Sequence, residues 1–565
     1  MAEIQKWDAP GAGSSTHPPR APYRISSVTL GKLTFDADFD SGNCARVVAV
    51  AGTSDEFNVW TSADCAGTSV ITEAKTWFHL SVRGGEVGSS ISLTVNNMNG
   101  QGKLYLHDFR PVYRNGTSGE WQRIRTPVAA RGSKEGDDFR ISFTHRFDCA
   151  QDLPTFFAFS YPWSFAEGQT LLDELEAQFG AACPDASALA AGEGSGGETP
   201  QSDTDTVPKS AGDIYFRREV LAHSLEGRPL ELLTITSTVG LGGPREPPLG
   251  NGLLPGGKLR PHVIAGRPMF VISARVHPGE VPASHVLNGF LRFILRTDDP
   301  RARAMREAFV LKILPCLNPD GVFHGHYRLD TRGENLNRYY SSPDRQLHPT
   351  IYAARALLEQ LHAREVLKFH VDLHGHATKR GCFLFGNNIP DLQQIAETDL
   401  YAKLVFSLCN SIGGGKYTDD AELAVNTPVN PPPSFTPPIS LRMVETVLYA
   451  KTIISCRKEN HDGLSTEGAG RVAIYRLTGV AHCYTLECNY NTGRSLNKLA
   501  EPEPGRALSP PPIPPHSVGS ALDLSGLNPL SRLQPPKQPG TGRSTVGSSL
   551  RGGIEAHRGW CFSNN

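Results

Sequence analysis

The chain has 565 residues, 39% of them apolar, which is too long for one ordinary core and apolar enough to fold, so two or more domains are expected. Gly (56) and Pro (43) are abundant enough to predict long loops or unstructured stretches beside the folded parts. Lys plus Arg (56) balances Asp plus Glu (57), which excludes a global field for nucleic acid or an anionic membrane and leaves any charge preference to a local pocket.

Residues 1–22 are polar, with Gly, Pro and Ser, and read as a loose tail. The opening MAEIQKWDAPGAGSS has no apolar segment of the secretory kind. No run of about 18 apolar residues predicts a membrane span. Eleven scattered cysteines without CxxC pairs predict reduced thiols rather than a disulfide framework. A cytosolic protein is expected, with nuclear entry open. Residues 23–165 carry short runs, Lys32–Ala37, Thr76–Val82, Ser90–Val95 and Lys103–Tyr105, separated by Gly, Asn and Asp. They predict an N-terminal antiparallel β-sandwich domain. Residues 182–210, rich in Ser, Gly and Asp, read as a flexible linker or excursion.

From about residue 213 to 500 the pattern changes to strand–helix alternation. Strands are predicted at Leu230–Thr236, Pro268–Val276, Phe309–Leu317, Val366–Leu373 and Ala481–Glu487. A helix opens at Pro282, ended by Asp298-Asp299-Pro300, and others cover Ile351–His362 and 391–411. Residues 238–262 and 426–438 are loops. This predicts an α/β domain with a mixed, mostly parallel sheet flanked by helices, whose ligands gather at the carboxyl ends of strands. Residues 501–565 are rich in Pro, Ser and Gly and read as a disordered tail.

The chemistry concentrates at such strand ends. Val276-His277-Pro278-Gly279-Glu280 places a His and a carboxylate around a tight Pro-Gly turn, so both side chains can converge on one point. Catalytic zinc sites use three protein ligands drawn from imidazole nitrogen and carboxylate oxygen. The third candidate is His374 in Asp372-Leu373-His374-Gly375-His376, preferred to His376 because it comes first off the strand.

HPGE, LNPDGV (317–322), GENLNR (333–338), DLHGH and YTLECNYN (484–491), in this order over about residues 213–495, resemble the cytosolic carboxypeptidases of the zinc carboxypeptidase superfamily. Within that family the segments RVHPGE, DLHGHATKRGCF and EGAGRVAIYRLTGVAHCYTLECNYNTGRS are most like its tubulin-deglutamylating members. The resemblance implies a zinc-carboxypeptidase-like fold and one Zn2+ per chain, held by His277, Glu280 and His374. Glu487 would be the general base, and Arg328 would polarise the scissile carbonyl, with Arg332 its competitor. Asn337 and Arg338 would clamp the terminal carboxylate. Arg471 would floor the pocket that selects an acidic side chain, with Lys379 and Arg380 as second candidates.

Asn335 departs from the family, standing where many relatives have an Asp that orients a zinc-bound His. Pro-rich sequence follows the last strand where relatives have a terminal helix. The implied substrates are polyglutamylated proteins such as tubulin, cleaved at chain ends or branch points. Composition and spacing fix neither the linear-versus-branch preference nor the oligomeric state. Two alternatives stay open: a zinc deacylase of small N-acyl amino acids, and a binding module without catalysis.

Overall fold

The computed structural model describes residues 23–132, 139–180, 213–241, 243–250, 252–255, 259–378, 382–413, 450–454 and 466–491. The expected tails, the 182–210 linker, the 426–438 loop, and Lys379 and Arg380 lie outside them. No helix among the described residues is long and apolar enough to cross a membrane. Cys44, Cys65, Cys149, Cys316, Cys382, Cys483 and Cys488 are unbridged.

The N-terminal region contains β1 (Val28–Leu30), β2 (Leu33–Asp36), β3 (Arg46–Ala49), β4 (Glu56–Trp60), β5 (His79–Arg83), β6 (Ser90–Met98), α1 (Gly102–Tyr105), β7 (Val112–Asn115), β8 (Gln122–Arg123), β9 (Ala129–Arg131), β10 (Phe139–Arg146) and β11 (Thr155–Ala158). They form two sheets, ordered β1-β2-β5-β11-β7-β8 and β3-β4-β6-β10-β9. Period-two alternation drives the packing: Ile91, Leu93 and Val95 of β6 and Phe139, Ile141 and Phe143 of β10 turn inward. On the other face, Ser92–Thr144 and Thr94–Ser142 hydroxyl pairs tie the two strands at 3.0 and 2.9 Å. Phe35, Leu80 and Phe157 from the first sheet meet Val59, Leu93 and Ile141 from the second in one core.

Two expectations fail here. β4 and β6 run parallel, so the sandwich is not purely antiparallel. Lys103–Tyr105 lies in the one-turn helix α1, where Leu106 N–H closes on Gly102 O at 3.0 Å. A three-residue run is too short to carry a usable period.

The remaining described elements are α2 (Phe165–Phe179), β12 (Ile214–His223), β13 (Pro229–Ser237), β14 (Met269–Ala274), α3 (Pro282–Ile294), α4 (Pro300–Ala308), β15 (Val310–Leu314), α5 (Pro319–Phe323), α6 (Pro349–Ala363), β16 (Leu367–His376), β17 (Cys382–Gly386), α7 (Leu392–Gly413), β18 (Ala450–Ile454), α8 (Gly470–Thr478) and β19 (Cys483–Asn489). The eight strands form one mixed sheet in the order β12-β13-β15-β14-β16-β19-β17-β18. β14 runs parallel to β15 and β16, β16 to β19, and β17 to β18. Alternate residues feed opposite faces. Ile272 and Ala274 join the core under α3, whereas Met269 and Val271 join the core under α6 and α8. β14, β16 and β19 lie side by side at the centre, and their carboxyl ends carry HPGE, DLHGH and Glu487.

The sandwich and the mixed sheet share packing. Val281, one residue past HPGE, and Tyr490, one residue past β19, are buried in the sandwich core.

Candidate active site

The HPGE turn is built by backbone constraint. Arg275, just past β14, takes a left-handed φ of 59°, unusual for a non-glycine residue, and turns the chain off the strand. Its buried guanidinium donates to Ser284 Oγ at 2.9 Å and Trp163 O at 3.1 Å. Gly279 lies against Tyr327, where a Cβ would meet the Tyr327 carbonyl oxygen at 2.7 Å, so only glycine fits. Pro282 then opens α3 at a first-turn position.

The turn, β16 and β19 converge three donors. One ligand atom from each of His277, Glu280 and His374 lies within 4.8 Å of the other two. Glu280 stands between the imidazoles, with Oε1 2.8 Å from His277 Nδ1 and Oε2 2.9 Å from His374 Nδ1. Gly375 N–H also donates to Glu280 Oε2, at 3.0 Å. Each histidine is oriented through its far nitrogen. His277 Nε2 lies 3.1 Å from Asn335 Oδ1, and His374 Nε2 lies 2.7 Å from Asp372 Oδ2. Asp372 is itself held by Ser273 Oγ at 2.7 Å. Asp372 was not singled out from the sequence. The signal was available, since strand alternation puts a residue two before His374 on its face.

His376, the rival, instead accepts from Thr378 N–H at 3.1 Å and rests on Phe383.

The donor set fits zinc in type and in geometry: two nitrogens and one oxygen, with the far nitrogens fixed from behind. His277 Nδ1 is buried without a hydrogen-bond partner although Glu280 Oε1 is near, as expected of a nitrogen that offers its lone pair to a cation. Burial pushes the His277 imidazole down to about 4. Burial raises the Glu280 carboxyl, but His277 and His374 overcome this and hold it well below the usual carboxylate range.

Glu487 is the register partner of His374 across the parallel β16–β19 pair, so the two side chains stand side by side on one face. Its Oε2 is buried without a partner. Burial pushes its pKa up to about 8, opposed by His374 and reinforced by Glu280. A carboxylate with one buried, unpartnered oxygen and a raised pKa beside a metal-type cluster is suited to proton transfer.

Arg328 reaches the same cluster, its guanidinium 3.7 Å from Glu280 Oε1. The charge of its competitor Arg332 is felt instead by Asp330, Tyr339 and His348. Asn337 is buried, and its Oδ1 accepts from Gly470 N–H at 2.9 Å. Arg338 is partly buried and donates to the Asn337 carbonyl at 2.8 Å. Arg471, the first residue after Gly470 in α8, donates to Gly386 O at 2.8 Å and lies against Phe385. Burial lowers its pKa and the charge of Glu487 opposes this, so the two side chains share one electrostatic environment.

Comparison with known proteins agrees with this architecture. The zinc carboxypeptidase family profile matches residues 212–356, and the cytosolic carboxypeptidase N-terminal domain profile matches 35–158. Cytosolic carboxypeptidase-like protein 5 of Rattus norvegicus is 35% identical over 630 residues, covering 89% of this chain and 69% of the relative. The chain belongs to the cytosolic carboxypeptidase family. The human cytosolic carboxypeptidase-like protein 5 is also 35% identical, over 89% of this chain but 65% of its own length, so this family member spans just under two thirds of that relative. A metallo-carboxypeptidase structure from Burkholderia cenocepacia covers 83% of this chain and 92% of its own, with a TM-score of 0.54 at 19% identity. That likeness speaks to the fold alone. His374 and Glu487 lie beyond the 212–356 match, so their placement rests on the sheet register described above.

Proposed function

We propose that this chain is a zinc-dependent metallocarboxypeptidase that removes glutamates from chain ends or branch points of polyglutamylated proteins in the cytosol, tubulin tails among them. The observation that carries the reading is the convergence of His277, Glu280 and His374, with Glu487 in register beside His374. A bound Zn2+ would supply Lewis acidity toward a carbonyl and acidify a water. Glu487 would take a proton from the attacking water and deliver it to the departing amine nitrogen. Arg328, whose side chain is 35% exposed, would face the carbonyl oxygen as negative charge develops there. Arg338 and the Asn337 amide nitrogen would hold the terminal carboxylate, a task that suits a planar guanidinium. Arg471 is half-buried, and pairing with a terminal Glu would compensate its desolvation.

The test uses zinc-loaded protein and two peptides differing only in a terminal Glu or Leu, with acyl-aspartate as a third substrate. Glutamate release from the first is expected. Hydrolysis of acyl-aspartate alone would replace this reading with a deacylase. Glu487→Gln should bind zinc and peptide normally and lose about 10²–10⁴-fold in turnover. On the same pair of peptides, Arg471→Ala should slow Glu release selectively. Equal losses on both would remove Arg471 from the pocket.

A further inference from the structure

Arg328 is held in place by its backbone. Among the described residues its guanidinium has Glu280 as ionic neighbour at 3.7 Å, too long for a firm hydrogen bond. Its main chain, by contrast, is gripped from the N-terminal sandwich. Asp64 is 1% exposed, and its carboxylate receives three consecutive N–H groups. Oδ1 accepts from Tyr327 at 2.6 Å, and Oδ2 accepts from Arg328 and Leu329 at 2.8 Å each. Three successive amides aimed at one carboxylate define the path of the backbone through Arg328, because each donor direction fixes a peptide plane.

The same peptide chain leads on to the metal turn. Tyr327 donates its N–H to Asp64 and accepts Gly279 N–H on its carbonyl at 2.8 Å. Asp64 therefore acts on Arg328 directly and on the residue before Glu280 through one intervening peptide. Neighbouring sandwich residues hold the flanks. Asn43 Nδ2 donates to Gly325 O at 2.9 Å, and Cys65 Sγ donates to Asp330 O at 3.1 Å.

We propose that Asp64 is a positioning residue, through which the N-terminal sandwich aims the Arg328 guanidinium at the reaction centre. The proposal rests on the role given to Arg328 above. It assigns the sandwich a part in turnover itself, beyond holding the fold together. An amide in place of the carboxylate keeps the shape of Asp64. It turns one acceptor into a donor facing an N–H, so the loop must shift and the guanidinium with it.

The experiment is a double-mutant cycle in the zinc-loaded full chain, reading kcat and KM on a Glu-ended peptide, with zinc content and melting temperature as controls. Arg328→Ala should lower kcat by about 10²-fold or more. Asp64→Asn should lower kcat by at least about 10-fold, with KM within about threefold and zinc still one per chain. Adding Asp64→Asn to Arg328→Ala should cost less than about threefold further, because the aimed group is already gone.

Independent, multiplying losses would overturn the proposal, as would an unchanged kcat in Asp64→Asn beside a crippled Arg328→Ala. An unchanged kcat in Arg328→Ala would overturn the role of Arg328 and this proposal together. Should Asp64→Asn not fold, Asp64→Glu keeps the charge displaced by one methylene and should show a smaller loss with the same non-additivity. If neither folds, Asp64 is a determinant of the fold and the positioning role is overturned.

Discussion

His277 and His374 present the same ring nitrogen to Glu280 but rest on different supports. Asp372 behind His374 is a carboxylate, whereas Asn335 behind His277 is a neutral amide that also accepts Asn337 N–H at 3.2 Å. A charged support makes an imidazole a stronger donor to a cation, and outer partners of this kind are worth about 10–100-fold in metal affinity. Asn335→Asp should therefore bind zinc about 10-fold more tightly, and Asp372→Asn about 10–100-fold more weakly. Competition with a chromophoric chelator would read both, and identical affinities would refute the account. Proton linkage follows from the same geometry. Burial pushes the His374 pKa down, but Asp372 and then Glu280 more than reverse this, leaving it well above the usual imidazole value. In the metal-free chain the two carboxylates that flank the ring favour the protonated imidazole, and a cation binding at Nδ1 competes with a proton there. Burial also pushes Glu487 up to about 8, which favours its protonated form, and a dication beside it would favour release of that proton. Zinc uptake near pH 7 should release about one proton or more per ion, so apparent affinity rises with pH. Calorimetric titration in two buffers of different ionisation enthalpy measures that number, and proton-neutral binding would contradict it.

The turn before α8 shows how backbone clearance places Asn337 and Arg338, the residues proposed above to hold the terminal carboxylate. Gly470 N–H binds Asn337 Oδ1, Tyr340 N–H binds Gly468 O at 3.1 Å, and a Cβ on Gly468 would come within 1.9 Å of the Arg338 carbonyl oxygen. Gly468→Ala must displace Asn337 and Arg338, at about 1–3 kcal/mol of stability. The expected signature is a KM raised several-fold for a Glu-ended peptide with zinc affinity unchanged. A normal KM would detach this turn from the proposed carboxylate clamp. What was legible in the sequence divides along similar lines. Strands β14, β16 and β19 could be read because each is a compact apolar run ending in polar chemistry. α2 was missed although its capping box, Ser164 with Glu167, is written in the sequence and is formed in the structure. α4 was missed because Asp298–Pro300 reads as a stop, yet Asp299 caps and Pro300 opens a second helix directly. β17 and β18 pair across more than sixty positions of chain, and their register leaves no local trace.

The whole molecule adds what no local pattern could show. Read as a sequence, 23–165 is a separate domain, and its contacts with the mixed-sheet half are separated by hundreds of residues. In the structure that half supplies Val281 and Tyr490 to the sandwich core. Tyr490 packs its ring 5.5 Å from Phe159 and donates its hydroxyl to Gly279 O at 3.1 Å, linking the sandwich, the end of β19 and the HPGE turn. Arg123 of β8 donates to Asn491 O at 2.9 Å, and Asn491 returns a bond from Nδ2 to His107 O at 2.7 Å. Unfolding the sandwich would expose Tyr490 and remove the hydrogen bonds that hold the loops carrying Arg328 and Glu280, so the two halves are expected to depend on each other for stability. Heating should therefore give one calorimetric transition for both halves. Tyr490→Ala should lower that single transition by removing a large buried ring, a loss of about 3–5 kcal/mol. Tyr490→Phe, which deletes one hydrogen bond and leaves Gly279 O exposed to desolvation, should cost about 1–3 kcal/mol. Two resolved transitions, with Tyr490→Ala shifting the sandwich peak and leaving zinc affinity and turnover intact, would show instead that the halves fold independently and that their shared core is incidental to the site.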